Sequence, residues 1–299
     1  MFNRNNLDRS TSPYLLQHKD NPIHWQEYSK EIIDYAVHED KPILISIGYS
    51  TCHWCHVMTA DTFSNDEIAQ YMNDNYVCIK VDREQRPDID SFCMSFMQEA
   101  YGQGGWPLNV VLTPTLKPFF AATYIASSPK YNMPRFLEIA ERVLNYYTEN
   151  KNDIDDYHPQ NFETQIVESP NFKIYEQQFD KENWGFLSEQ KFPPHCSLMY
   201  LLSTPYARKS EEVQTFLKNT LDKMQNSGLH DHVGGGFFRY CVDPKWEVPH
   251  FEKMLYDQAM MLINYSLGYF LFNDSTYKNT IERILFSLKD TFETNHLYM

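Results

Sequence analysis

Cys52 and Cys55, in the run Cys52-His53-Trp54-Cys55-His56, constrain this chain more than any other feature. Two thiols at this spacing can close into a disulfide, hold a metal or carry haem. Their flanks decide between these. Ahead of them runs Lys41-Pro42-Ile43-Leu44-Ile45-Ser46-Ile47-Gly48, a short apolar stretch that reads as a buried strand. A helix-like stretch follows. A dithiol at a strand-to-helix junction puts its first sulfur at a helix N-terminus, where free N–H groups stabilise a thiolate.

The rest of the N-terminal half supports this placement. Trp25, Tyr28, Ile32, Ile33 and Ala36 recur at helical spacing and predict a first amphipathic helix, followed by a strand over 43–47. Ser64-Asn65-Asp66-Glu67 reads as a capping box opening a helix through Met72. Residues 76–81 read as a buried strand, and Pro87 begins a helix through Ala100. After the loop Gly102-Gln103-Gly104-Gly105-Trp106-Pro107, the pattern predicts a hairpin over 109–112 and 119–124, then a helix over 135–147. The order α-β-α-β-α-β-β-α is that of the thioredoxin fold, and it is obtained without using the cysteines.

From residue 148 to about 183 the chain is polar and weakly periodic, which reads as a linker. Beyond it only helical patterns appear, over 198–202, 211–224, 250–272 and 277–291, broken by Gly234-Gly235-Gly236. Six of the ten glycines lie in the two loops at 102–105 and 234–236, as expected where the backbone takes positive φ or approaches something closely. The expected organisation is a thioredoxin-like domain over 1–150, a linker over 151–183 and a helical domain over 184–299.

The formal net charge of −14 argues against nucleic acid or anionic lipid as a partner, since phosphate binding needs concentrated positive charge. The first residues carry no apolar signal segment, and the run 260–272 is too short and too polar to span a bilayer. A cytoplasmic protein is expected, with its six cysteines mostly reduced and Cys78 and Cys93 serving as core thiols.

Several motifs carry a family resemblance. They are Ser12-Pro13-Tyr14-Leu15-Leu16-Gln17-His18, Gly48-Tyr49-Ser50-Thr51-Cys52-His53-Trp54-Cys55-His56, Lys80-Val81-Asp82-Arg83-Glu84 and Gly104-Gly105-Trp106-Pro107. Further along are Lys191-Phe192-Pro193, Gly236-Phe237-Phe238-Arg239-Tyr240 and Val248-Pro249-His250-Phe251-Glu252-Lys253-Met254-Leu255-Tyr256-Asp257. Together they resemble the YyaL and spermatogenesis-associated-protein family from about Asn5 to the end. The resemblance implies a thioredoxin-like domain followed by an α/α toroid of the six-hairpin glycosidase or sugar-epimerase type. Two departures stand out. The helices after residue 197 make about two hairpins, so the toroid is expected to be partial, as in the N-terminal part of a longer protein. In Trp184-Gly185-Phe186-Leu187, Trp184 and Leu187 stand where the family tends to have glycine.

A redox pair needs one accessible, low-pKa thiolate and one resolving thiol. Cys52, at the helix start beside His53, fits the nucleophile, and Cys55, one turn inward, the resolver. Trp106-Pro107 matches the thioredoxin-fold proline, which predicts a cis bond beside the dithiol. The substrate is expected to lie against His53, Trp54, Trp106 and Pro107. No cofactor and no metal are expected. The competing patterns are c-type haem attachment, a zinc site from Cys52, His53, Cys55 and His56, and a dithiol that only packs. The last gains weight because Ser46 stands where thioredoxins carry a buried Asp six residues before the first Cys.

A second constellation holds His230, Asp231, His232, Arg239, Tyr240, Asp243, Trp246, His250, Glu252, Tyr256 and Asp257. Of these Arg239, Tyr240, Asp243, His250, Glu252 and Asp257 make a possible toroid site, with Glu252 or His250 as acid or base. If His250 opens a helix, Lys253 and Asp257 share its face. The alternative is that these residues only knit the helices together. The leading functional reading is therefore a thiol–disulfide redox protein acting on a thiol or disulfide protein or small molecule. The alternatives are a carbohydrate-active isomerase or hydrolase, and a non-catalytic interaction module. Apolar stripes on more than one helix face predict self-association or a partner chain that completes the toroid.

Overall fold

The computed structural model describes residues 2–130, 133–155, 172–205, 209–294 and 297–298. The chain forms two compact units, Met1–Glu163 and Thr164–Met299.

The first unit is built on four strands, β1 (Ile43–Gly48), β2 (Val77–Asp82), β3 (Leu108–Leu112) and β4 (Pro118–Ala122), in the order β2-β1-β3-β4. β1 is parallel to β2 and antiparallel to β3, and β3 is antiparallel to β4. Every residue of β1, β2 and β3 is buried, which explains their continuous rather than alternating hydrophobicity. The helices are α1 (Pro13–Leu16), α2 (Lys30–Glu39), α3 (His53–Asp61), α4 (Asp66–Asn75), α5 (Pro87–Tyr101) and α6 (Phe136–Asp155). The thioredoxin-like order expected from the sequence is present.

Side chains alternate across the sheet. Ile43, Ile45 and Ile47, with Val77, Ile79, Val81, Leu108, Val110 and Leu112, pack with Ile32 and Ala36 of α2 and Ile89, Cys93 and Met97 of α5. The other face presents Ser46 and Gly48 of β1, Lys80 and Asp82 of β2 and Asn109 of β3. A dithiol on α3 is thus set over a polar patch of the sheet, not over its aliphatic core.

Three boundaries differ from the sequence reading. Trp25 and Tyr28 precede α2, which begins at Lys30 because the Ser29 hydroxyl accepts from Ile32 N. Gln26 N donates to Cys78 O and Lys80 N donates to Gln26 O, so this segment lies along β2 instead. The cap of α4 is Asn65, whose Oδ1 accepts from Ile68 N, while the Ser64 hydroxyl donates to Thr59 O. α6 extends eight residues beyond the expected end and has non-helical backbone at Asn150.

The second unit is mainly helical: α7 (Phe172–Gln177), α8 (His195–Ser203), α9 (Glu211–Asn226), α10 (Leu255–Phe272) and α11 (Ser275–Ser287). α10 packs against both α8 and α11, and Trp246, Tyr265, Tyr277, Phe216 and Phe237 fill the core. Phe179, Asp180 and Lys191 are buried in this unit, so its core reaches back into the stretch expected to be linker. The rest of that stretch, residues 156–171, lies outside the described residues. Lys191 Nζ donates to Asp180 Oδ2 at 2.7 Å and to Phe186 O at 2.6 Å. The loop 184–185 has positive φ at both Trp184 and Gly185, so the backbone is left-handed at the tryptophan as well as at the glycine. A Cβ on Gly185 would meet the Trp246 ring at 2.8 Å.

His250 does not open a helix. It sits in β6 (Pro249–His250), which pairs with β5 (Tyr240–Cys241), and α10 starts five residues later. The reason lies across the hairpin: Val242 N donates to Val248 O and Arg239 N to Glu252 O, holding 248–252 extended.

Candidate redox site

β1 ends at Gly48, a turn follows in which Cys52 N donates to Tyr49 O, and Cys52 becomes the N-cap of α3. Cys55 N donates to Cys52 Sγ at 3.2 Å, so the first sulfur accepts from a free N–H at the helix start, as the sequence implies. Cys52 and Cys55 are joined as a disulfide, with Cα atoms 5.3 Å apart. Both residues are only 2 % exposed, whereas the sequence reading asks for one accessible sulfur. The flanking Thr51, His53, Trp54 and His56 are exposed and form the visible rim.

The proposed substrate contacts take distinct places. His53 and Trp54 meet edge to face at 5.5 Å, and Trp54 leans on Tyr124 at 5.1 Å. The Trp106-Pro107 bond is cis, and Pro107 directly precedes Leu108, the residue paired with Ile47 of β1. The Trp106 indole donates to Asp90 Oδ1 at 2.7 Å, and the Arg83 guanidinium lies 3.9 Å over its ring. His56 is turned away from the sulfurs, its Nε2 lying 2.8 Å from Ser50 O.

Beneath the disulfide is a buried polar layer that the sequence reading missed. Lys80 is 1 % exposed, and its Nζ donates to Ser46 Oγ at 2.9 Å. The amine also faces the rings of Phe63, Trp25 and Tyr14 at 4.4, 5.0 and 5.6 Å. Burial drives its pKa well below the ordinary lysine range, which favours the neutral amine. Ser46, at the position of the thioredoxin aspartate, is thus the partner of a buried lysine. Ser12 caps α1, and its hydroxyl donates to Asp82 Oδ2 at 2.6 Å. Tyr14 and His18 complete the layer, their rings 4.9 Å apart edge to face. Burial, then the neighbouring Lys80, pushes the His18 imidazole well below its usual pKa. The available signal was Lys80 itself, a lysine within the run Val77-Cys78-Ile79-Lys80-Val81 that otherwise reads as a buried apolar strand. Cys78 and Cys93 are free and buried, as expected of core thiols, and burial pushes Cys93 up to about 12.

In the second unit Arg239, Tyr240, His250 and Glu252 come together, with His250 Nδ1 3.7 Å from Glu252 Oε2 and its ring stacked on Tyr240, while Asp243 and Asp257 make other contacts. Arg239 Nη1 bonds Glu252 Oε2 at 3.1 Å, and Asp257 Oδ1 lies 3.0 Å from His195 Nε2, a residue the sequence reading did not single out. Asp243 accepts from the backbone N–H groups of Lys245, Glu247 and Val248 and closes the β5–β6 turn. Tyr240 stacks between Phe192 at 4.3 Å and His250 at 4.9 Å. Lys253 goes to Asp231 Oδ2 at 2.7 Å and Gly235 O at 2.8 Å, not to the face of Asp257.

A mixed sheet with β1 beside β3, a cis proline before β3 and a Cys-x-x-Cys disulfide capping the helix after β1 define a protein of the thioredoxin-like class. The chain belongs to the family Thioredox_DsbH, described as a protein of unknown function, DUF255, whose model matches residues 4–166. Spermatogenesis-associated protein 20 of Homo sapiens is 38 % identical over 94 % of this chain and 38 % of its own length. This chain therefore spans about 38 % of the length of that relative. Among solved structures, a sugar epimerase from a ruminal bacterium has a TM-score of 0.38 at 18 % identity, over 42 % of this chain and 36 % of that one. A DsbH oxidoreductase has a TM-score of 0.30 at 18 % identity, over 43 % of this chain and 85 % of that one. Among the described residues no helix is long and apolar enough to cross a membrane.

Proposed function

We propose that the first unit is a thiol–disulfide oxidoreductase in which Cys52 attacks the substrate sulfur and Cys55 resolves the mixed disulfide. The observation that carries this reading is the position of Cys52: its sulfur caps α3 and accepts from Cys55 N, the environment that favours a thiolate. Cys55, one turn along α3, is bonded to it and needs no partner from elsewhere in the chain to close the pair. The substrate is a protein or small-molecule thiol or disulfide, received against His53, Trp54, Trp106 and Pro107. Four other cysteines remain free in the same chain, which suits a compartment where thiols persist, such as the cytoplasm.

For the second unit we read α8 to α11 as two hairpins of the α/α toroid that the family resemblance implies. The polar residues of this unit contact one another, as in Arg239–Glu252–His250 beside the β5–β6 hairpin and His195–Asp257 between α8 and α10, which supports a structural role over a sugar-directed one.

The test is reduction of a protein disulfide, insulin with dithiothreitol, by the purified chain. Turnover is expected for the native protein and loss of it for Cys52→Ser. Cys55→Ser is expected to accumulate a mixed disulfide at Cys52, seen by mass spectrometry. Absence of turnover, or a mixed disulfide on Cys55 in Cys52→Ser and none in Cys55→Ser, would overturn the assignment.

A further inference from the structure

Tyr14 stands out among the buried polar groups. It is 1 % exposed, and its hydroxyl has no hydrogen-bond partner. A buried, unpaired phenol costs free energy, and a second state of the protein that pairs it is favoured by that amount. Its surroundings indicate which state. A Cβ built on Gly48 would meet both the Tyr14 hydroxyl and Cys55 Sγ, each within 2.7 Å of that one point. No layer of atoms therefore fits between the phenol oxygen and the sulfur, and Gly48, which lacks a Cβ, is what lets them approach. In the disulfide, the Cys55 sulfur is a poor acceptor. Once the bond opens, the same sulfur carries a lone pair and a charge.

We propose that Tyr14 is a positioning residue for the dithiol: its hydroxyl donates to the Cys55 thiolate when the Cys52–Cys55 bond is broken. This rests on the reading of the pair as redox-active. In the reductive half-reaction a low-molecular-weight thiolate attacks Cys52 Sγ. The Cys52–Cys55 bond breaks and its electron pair leaves on Cys55, where Tyr14 stabilises it without giving up its proton. A second thiol attacks the mixed disulfide on Cys52 and releases the oxidised reagent. The pair gains two electrons, the two reagent thiols lose two, and their two protons pass to solvent or to the released cysteines.

The neighbouring groups are arranged to leave Tyr14 free for this. From β2, Asp82 already accepts from the Ser12 hydroxyl and from Glu84 N. Lys80 of the same strand donates to Ser46. His18, at the end of α1, faces Asn21 Oδ1 at 3.0 Å. From α3, His56 is engaged at Ser50 O. Burial pushes the Tyr14 phenol well above its usual pKa, followed by the charge of Asp82, so it remains a donor throughout.

The experiment is Tyr14→Phe in the full chain, equilibrated with dithiothreitol or glutathione buffers. Loss of one hydrogen bond to a charged sulfur should shift the equilibrium roughly tenfold toward the disulfide, about 30 mV more negative. In a Cys52→Ser background, alkylation of Cys55 followed peptide by peptide across pH should move up by about one pH unit in the Tyr14→Phe protein. Tyr76→Phe is the control: its buried hydroxyl donates to Ala140 O at 2.6 Å, and its loss should leave both readouts in place. In the unsubstituted protein, the 13C signal of the Tyr14 ring carbon bearing the hydroxyl should shift on reduction, a measurement that needs no variant to fold. An unchanged equilibrium and Cys55 titration in Tyr14→Phe, or an unchanged carbon signal on reduction, overturns the proposal. A tenfold shift in a chain that fails to turn over insulin would keep Tyr14 and reject the oxidoreductase reading. Normal turnover with no shift would do the reverse.

Discussion

Lys80 is an amine that the fold buries, which disfavours its charged form. Unfolded, it is protonated up to about pH 10.5. Folded, burial lowers its pKa well below that, so the unfolded state binds one more proton across the interval between the two values. Stability must then rise with pH over that interval, and the native state is penalised on its lower side. Lys80→Met keeps the length of the side chain and removes the proton. Urea unfolding between pH 7 and 9.5 should show a flatter stability–pH slope for the variant, and at pH 7 a stability at least equal to the native one. An unchanged slope would mean that Lys80 is charged in the fold. The sequence displays this residue in a strand of apolar neighbours, but not which face of β2 it occupies or that Ser46 meets it.

At the scale of elements, caps and cross-chain hydrogen bonds decide what periodicity leaves open. Ser64 and Asn65 both read as caps for α4, and only the backbone path makes Asn65 the acceptor for Ile68 N. Asn65→Ala should cost about 1 kcal/mol in chemical denaturation. A loss well under half of that would show that the cap is dispensable. In the second unit, Lys191 ties three segments together: its backbone pairs with Cys241 in both directions, and its amine holds Asp180 and Phe186 O. Lys191→Met leaves that carboxylate without its cation in a buried setting, and should cost about 3 kcal/mol. A melting temperature within 2 °C or so of the native value would contradict this. The misplaced start of α10 has the same origin as the misplaced start of α2. An extended stretch that pairs with a distant strand shows apolar residues at spacings that a helix would also show.

At the scale of the whole molecule, each unit has its own core, yet large apolar side chains remain in solvent. Phe270 is 75 % exposed and Phe286 60 % exposed, on α10 and α11. Exposed aromatics on adjoining helices favour association. Sedimentation of the chain should show a concentration-dependent mass, and the double variant Phe270→Ser, Phe286→Ser should weaken it. A single monomeric species across the micromolar range would argue that these faces need no cover.

The sequence by itself determined the order of elements in the first unit and the helix-start position of Cys52, while for Cys52 and Cys55 it left disulfide, zinc and haem open, and the cis Trp106-Pro107 bond followed from the match to the thioredoxin-fold proline. These are local properties: hydrophobic runs, turn residues and a three-residue spacing act through neighbours along the chain, and the family motifs repeat them. Tertiary structure alone decided what lies under the disulfide. Tyr14 and Lys80 come within reach of the dithiol layer only because Lys80 of β2 and Tyr14 of α1 lie on the sheet face that α3 covers, and Gly48 leaves room between Tyr14 and Cys55. It also decided how the polar residues of the second unit group, since the β5–β6 hairpin holds Glu252 against Arg239 and His250 while α10 carries Asp257 to His195. Contacts between residues far apart in sequence depend on packing against several elements at once, and no single stretch of sequence encodes them.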